Sequence, residues 1–154
     1  MEKKILALAC DHGGFELKNE MKALLDKKGV EYVDFGCDTA ESVNYPDYAH
    51  KLCKAIQDGE CYRGILFCGT GIGMCMAANK HHGIRAAVCS DTFSARLTRM
   101  HNDANVLCLG GRVVGVGLAW DIVESFVDTE FEGGRHSTRV DMVMAFEESE
   151  NKEC

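Results

Sequence analysis

The sequence predicts an α/β protein: a three-layer α/β/α sandwich around a five-stranded parallel sheet, of the Rossmann or flavodoxin-like kind. Three observations predict it. Five short apolar runs alternate with longer stretches of helical periodicity. The runs are almost continuously apolar rather than alternating, as strands covered on both faces are. Glycines and polar residues follow runs one, three and five directly, and parallel sheets bind ligands beyond the carboxyl ends of their strands. At 154 residues the chain reads as one domain, 1–154, with no internal repeat or linker.

Lys4 to Cys10 is the first strand, and Asp11-His12-Gly13-Gly14 follows it. A helix carries Phe15, Leu17, Met21, Leu24 and Leu25 on one stripe and ends at Gly29. Val30 to Phe35 is the second strand, followed by a polar loop to Asn44. Tyr45-Pro46 opens the second helix, with the only proline at a tolerated first-turn position. Arg63 to Cys68 is the third strand, and its helix runs from about Ile72 to Lys80. Ile84 to Cys89 is the fourth strand, and Asp91 to Met100 its helix. Asn105 to Gly110 is the fifth strand, followed by a helix over Val116 to Asp128. Phe131 to His136 is a loop, a last amphipathic helix covers about 137–149, and a frayed tail covers 150–154.

The formal net charge is −7 with no basic block, so nucleic acid is not an expected partner. No apolar run reaches membrane-spanning length, and Met1-Glu2-Lys3-Lys4 leads straight into a strand rather than a signal peptide, so the expected location is the cytoplasm. Nine cysteines are an odd number without a CxxC pair, which predicts reduced thiols rather than a disulfide framework or a zinc finger.

The third strand and its turn, Ile65-Leu66-Phe67-Cys68-Gly69-Thr70-Gly71-Ile72-Gly73, carry the chemistry. Alternate glycines let backbone N–H groups approach an anion, and a helix N-terminus favours the thiolate of a nearby cysteine. This sets Cys68 and the Thr70 hydroxyl beside an oxyanion site. Taken alone, Cys68 also fits a small buried hydrophobe. Asp11 and His12 fit either a helix cap or a phosphate site. His101 fits a cation at a helix C-terminus, and Arg135 and Arg139 fit solvated charges or a phosphate fork. Gly69, Gly71 and Gly73 miss the dinucleotide spacing, because Met74 stands where the third glycine belongs.

Several longer motifs resemble one family. They are Cys10-Asp11-His12-Gly13-Gly14-Phe15, Tyr45-Pro46-Asp47-Tyr48, the Cys68 to Gly73 turn and Ala77-Ala78-Asn79-Lys80. Gly83-Ile84-Arg85-Ala86, His101-Asn102-Asp103-Ala104-Asn105, Gly111-Arg112-Val113-Val114-Gly115 and Phe131-Glu132-Gly133-Gly134-Arg135-His136 complete them. The sequence resembles, over almost all its length, the type B ribose-5-phosphate isomerases, in the family shared with the galactose-6-phosphate isomerase subunits. Asn44 departs from the acidic residue that often precedes Tyr45-Pro46. Some members replace the cysteine with a carboxylate a few positions on; here Cys68 is present and Met74, Cys75 and Met76 offer none.

The resemblance implies an aldose–ketose isomerase of the non-oxidative pentose phosphate pathway. It would interconvert ribose 5-phosphate and ribulose 5-phosphate through an enediolate, with no metal and no organic cofactor. By the same resemblance Cys68 is the base, and Thr70 with the backbone of Gly69, Gly71, Ile72 and Gly73 is the oxyanion site. His101 opens the furanose ring, Asp11 meets sugar hydroxyls, and Tyr45 and Asn102 line the sugar. His12, Arg112, Arg135 and Arg139 grip the phosphate. It also implies a homodimer, or a dimer of dimers, whose site joins the Cys68 turn of one subunit to His101, Asn102 and Arg112 of the other. The alternatives are a hexose-6-phosphate isomerase acting on allose or galactose 6-phosphate, and a non-catalytic sugar-phosphate-binding module.

Overall fold

A computed structural model describes residues 3–150, so the chain's first two residues and 151–154 of the expected frayed tail 150–154 lie outside the described residues, while Glu150 belongs to the last helix. The elements run β1 (Leu6–Cys10), α1 (Phe15–Lys28), β2 (Tyr32–Asp34), α2 (Tyr45–Gln57), β3 (Arg63–Cys68) and α3 (Ile72–Ala78). They continue as β4 (Ala86–Val88), α4 (Thr92–Asn102), β5 (Val106–Gly110), α5 (Val116–Asp128) and α6 (Arg135–Glu150). All strand pairs are parallel, in the order β2-β1-β3-β5-β4. This is the predicted sandwich.

The period-two alternation of each central strand sends its side chains to two different cores. Leu6, Leu8, Ile65, Phe67, Leu107 and Leu109 meet Leu17, Met21, Leu25, Ile122, Val123 and Phe126 of α1 and α5. Ala7, Ala9, Leu66, Val106 and Cys108 meet Leu52, Cys53, Met74 and Ala78 of α2 and α3. The small residues on this second face let α2 approach closely; a Cβ on Gly64 would lie 2.5 Å from Leu52 Cδ2.

The two edge strands are shorter than the apolar runs suggest. Val30 N–H is taken by Leu25 O in the left-handed cap at Gly29, so β2 starts later. Ile84 N–H closes a turn on His81 O, and Arg85 N–H goes to Asn105 Oδ1, so β4 starts at Ala86. Asn79 then pairs with the backbone of Ala86 through both amide atoms, at 2.8 and 3.0 Å, which ends α3 early. The last helix begins at Arg135, inside the expected loop. No helix among the described residues is long and apolar enough to cross a membrane.

Buried Lys18 bonds Asp34 Oδ1 at 2.7 Å and Cys37 O at 2.8 Å. Burial alone would raise the Asp34 pKa, but the Lys18 and Lys22 ammoniums and the Gly36 N–H hold it below its ordinary value. This anchors the chain leaving β2, whose following loop reaches back over β1.

Candidate active site

Cys68 ends β3 in the middle of the sheet, paired with Gly110, and is 5% exposed. Its Sγ accepts the Gly71 N–H at 3.0 Å, which aims the sulfur at the glycine turn. Gly71 adopts φ +80°, and a Cβ there would lie 3.0 Å from the Leu109 backbone, so a side chain is excluded on both counts. Thr70 Oγ1 accepts Ile72 N–H at 3.2 Å, which leaves the hydroxyl hydrogen to point outward. With two N–H groups committed in this way, the uncommitted first-turn donors of α3 are those of Gly73 and Met74. Within the expected oxyanion backbone, the Gly71 and Ile72 N–H groups thus already have partners.

Four other candidates surround this turn. Asp11 Oδ1 accepts the N–H groups of Gly13 at 2.8 Å and Gly14 at 3.2 Å, so this carboxylate closes the turn that leads into α1, whose own N-cap is Gly14. His12 Nδ1 accepts Val43 N–H at 3.3 Å from the loop after β2. That fixes Nε2 as the protonated nitrogen of the neutral ring, a donor for a ligand. Tyr45, at the start of α2, lies over Gly73, whose Cβ would be 2.9 Å from the ring. Arg112 lies over Gly69, whose Cβ would be 3.1 Å from Nη1. Arg112 thus stands beside Cys68 of its own chain, which corrects the expectation that it reaches the turn from the other subunit.

His101, Asn102, Arg135 and Arg139 are elsewhere. Helix α4 runs back from the carboxyl end of β4 to the amino end of β5, so its last residues, His101 and Asn102, sit at the amino end of the sheet. Gly64 pairs with Val106 at that end and Cys68 with Gly110 at the other, four residue steps or roughly 13 Å apart. Arg135 and Arg139 occupy one face of the first turns of α6, which packs on α4. His101, Asn102, His136 and Arg139 line one cavity of about 680 Å³, together with Arg85 and apolar residues of α6. A single chain therefore separates the predicted site into two halves.

Arg85 fixes the second half, and its place in a motif gave no hint of that. Its Nε bonds Asn102 O and Asp103 O, each at 3.1 Å, and its Nη2 bonds Asp103 O at 2.8 Å. Asp103, left-handed at φ 46°, is held from the other side by Arg99 Nη1 at 2.9 Å. Glu132 and His136 also converge on His101: the two imidazoles stack with centroids 4.2 Å apart, and both Nε2 atoms face Glu132 Oε2. Burial, then the nearby His101 and Arg135, push the His136 imidazole below its ordinary pKa. The four-residue spacing of Glu132 and His136 is the one sequence signal that points to this grouping.

Comparison with known proteins agrees with the motifs. The Ribose/Galactose Isomerase family matches residues 6–143. Ribose-5-phosphate isomerase B of Escherichia coli is 49% identical over 148 residues, covering 96% of this chain and 99% of the relative. D-erythrulose-4-phosphate isomerase of Pectobacterium atrosepticum is 46% identical over 146 residues, covering 94% and 96%. The solved ribose-5-phosphate isomerase B of Clostridium thermocellum superposes with a TM-score of 0.93 at 51% identity, covering 94% of this chain and 98% of that one. With its family motifs in order along β1, β3 and β5 and similarity of this extent, the chain belongs to the ribose/galactose isomerase family.

Proposed function

We propose that this protein interconverts ribose 5-phosphate and ribulose 5-phosphate, with Cys68 as the base. The observation that carries the reading is the Cys68 sulfur, held by Gly71 N–H at the mouth of the glycine turn, in a chain about half identical to ribose-5-phosphate isomerases B. His101 takes the anomeric O1 proton of the furanose and returns a proton to the ring oxygen, which opens the sugar. The Cys68 thiolate then removes the C2 proton of the aldehyde, and the electron pair forms the C1–C2 double bond of an enediolate. The Thr70 hydroxyl and the free N–H of Gly73 stabilise the oxyanion as it develops on O1; the O2 hydroxyl proton passes to O1, and Cys68 returns its proton to C1, which leaves the C2 ketone. His12, Arg112, Arg135 and Arg139 hold the phosphate and so fix C1 and C2 against the sulfur. A metal ion has no step in this sequence.

The reading requires two copies of the chain. The Cys68 half and the His101 half lie at opposite ends of one sheet, which a two-fold partner can bring together. Met142, Val143 and Phe146 of α6, each more than half exposed, offer an apolar face for that partner. The proposed assembly is a homodimer with two shared sites, or a dimer of such dimers.

The substrate has a specific competitor, because one relative of 46% identity acts on a four-carbon sugar phosphate. Turnover of ribose 5-phosphate, D-erythrulose 4-phosphate and allose 6-phosphate, measured side by side, separates the readings. The expected result is a kcat/KM at least tenfold higher for ribose 5-phosphate than for either other sugar. A preference for the tetrose or the hexose reassigns the substrate, and turnover of none of them leaves a binding module.

A further inference from the structure

At the carboxyl end of α4, three side chains form a donor set that the isomerisation does not fully use. His101 Nε2 lies 3.8 Å from Glu132 Oε2, and His136 Nε2 lies 3.9 Å from the same oxygen. One ring nitrogen of each histidine and a Glu132 carboxylate oxygen fall within 4.8 Å of one another. These separations exceed hydrogen-bond length. His136 is 5% exposed, yet its Nε2 has no hydrogen-bond partner among the described residues. A buried nitrogen left in that state costs stability unless a ligand meets it. The partner that all three atoms share is a cation placed between them.

The donor chemistry narrows the cation. Two imidazole nitrogens and one carboxylate oxygen are the ligands of open zinc sites, which keep a fourth position for water. Hard ions such as Mg²⁺ and Ca²⁺ prefer oxygen shells. Around a tetrahedral ion with bonds of about 2.0–2.1 Å, neighbouring ligand atoms stand roughly 3.3 Å apart, so the two gaps to Glu132 close by about half an ångström and the two imidazoles draw together over it. Glu132 has the freedom to do this: its side chain is 50% exposed, while its backbone N–H is tied to Met100 O at 3.1 Å beside His101.

We propose that His101, Glu132 and His136 bind a divalent transition-metal ion of the zinc class, and that the bound ion inhibits the isomerase by occupying His101 Nε2. The inhibitory part rests on the ring-opening role given to His101 above; the binding part does not.

The test uses the full chain after EDTA dialysis, which is expected to leave isomerase activity intact. Co²⁺ is titrated in and followed by its visible d–d bands, and Zn²⁺ is titrated by calorimetry. The expected result is one ion per chain, Co²⁺ displaced by Zn²⁺, and binding at least tenfold weaker in both Glu132→Gln and His136→Gln. Glu132→Gln lies on an exposed loop and keeps the test valid if His136→Gln fails to fold. Zn²⁺ should inhibit turnover of ribose 5-phosphate by the wild type, reversibly with EDTA, and Glu132→Gln should resist the same Zn²⁺ concentration. Binding unchanged in Glu132→Gln but lost in His81→Gln would move the ion to the exposed His50–His81 pair, whose ring nitrogens are 2.9 Å apart, and overturn the proposal. A near-ultraviolet thiolate-to-cobalt band would move it to the cysteines and overturn the proposal equally. Binding at the site without inhibition would uphold the metal site and overturn the role of His101 in ring opening.

Discussion

Cys68→Ala lowers kcat for ribose 5-phosphate by about 100-fold or more, the scale expected when a general base is lost. The prediction is sharp because the chain supplies rivals. The eight described cysteines are all free thiols. Burial pushes Cys10 and Cys53 up to about 12 and Cys89 up to about 11, and raises fully buried Cys108 as well. Such thiols stay protonated and inert at neutral pH. Cys75 is the exception, lowered to about 7, first by a hydrogen bond with the Cys108 thiol and then by the Val88 backbone. Its lowered pKa makes Cys75 a rival base. Its place argues otherwise. Cys75 Sγ lies 3.5 Å from Ala86 O, a contact that needs the protonated thiol, and it sits under the β4 edge and Asn79 rather than at the glycine turn. Cys75→Ala should therefore keep turnover within a few-fold of wild type. Steady-state kinetics of the two variants decides between the thiols; a large loss in Cys75→Ala with Cys68→Ala active would transfer the base to α3.

Gly14→Ala should be the most damaging small substitution to the fold. A Cβ there would lie 2.3 Å from Phe67 C and 2.5 Å from Phe67 O, in the backbone of the central strand. Backbone atoms of β3 cannot rotate away as a flexible side chain does, so α1 or β3 must shift. A cost of about 3 kcal/mol or more is expected, which for a chain of this size lowers Tm by roughly 10 °C. Gly117→Ala in α5, where the added Cβ meets nothing within 4 Å, should leave Tm unchanged or raise it slightly. Calorimetric melting of both variants checks the pair, and equal Tm values would contradict the close packing of Gly14 on β3.

The central strands are legible in the sequence because they are buried on both faces and their apolar runs are continuous, as Ile65 to Cys68 illustrates. The edge strands are shorter than hydropathy implies at Val30 and Ile84, whose N–H groups serve a helix cap and a turn that hydropathy does not register. The glycine turn is legible for a similar local reason: Gly71 needs its positive φ and Gly14 its close approach. What local sequence does not encode is which end of the sheet a helix terminus reaches. The motifs of His101-Asn102 and Arg135-His136 do not by themselves say which Cys68 they would serve, and only the topology shows them carried to the amino ends of the strands. The clasp of Arg85 on Asn102 and Asp103, and the meeting of Glu132 with two histidines, are contacts between separate segments with no local signature.

That separation makes the shared site the point on which the functional reading turns, and complementation tests it most directly. Cys68→Ala and His101→Ala chains, each inactive alone, are unfolded together in equal amounts and refolded. Random pairing across a two-fold interface yields about half heterodimers. If each site takes Cys68 from one chain and His101 from the other, every heterodimer has one doubly altered site and one intact site. Activity toward ribose 5-phosphate then returns to roughly a quarter of the wild-type level, by the same count. A refolded mixture that demonstrably contains heterodimers yet stays inactive would contradict the shared site and put both residues to work within one chain.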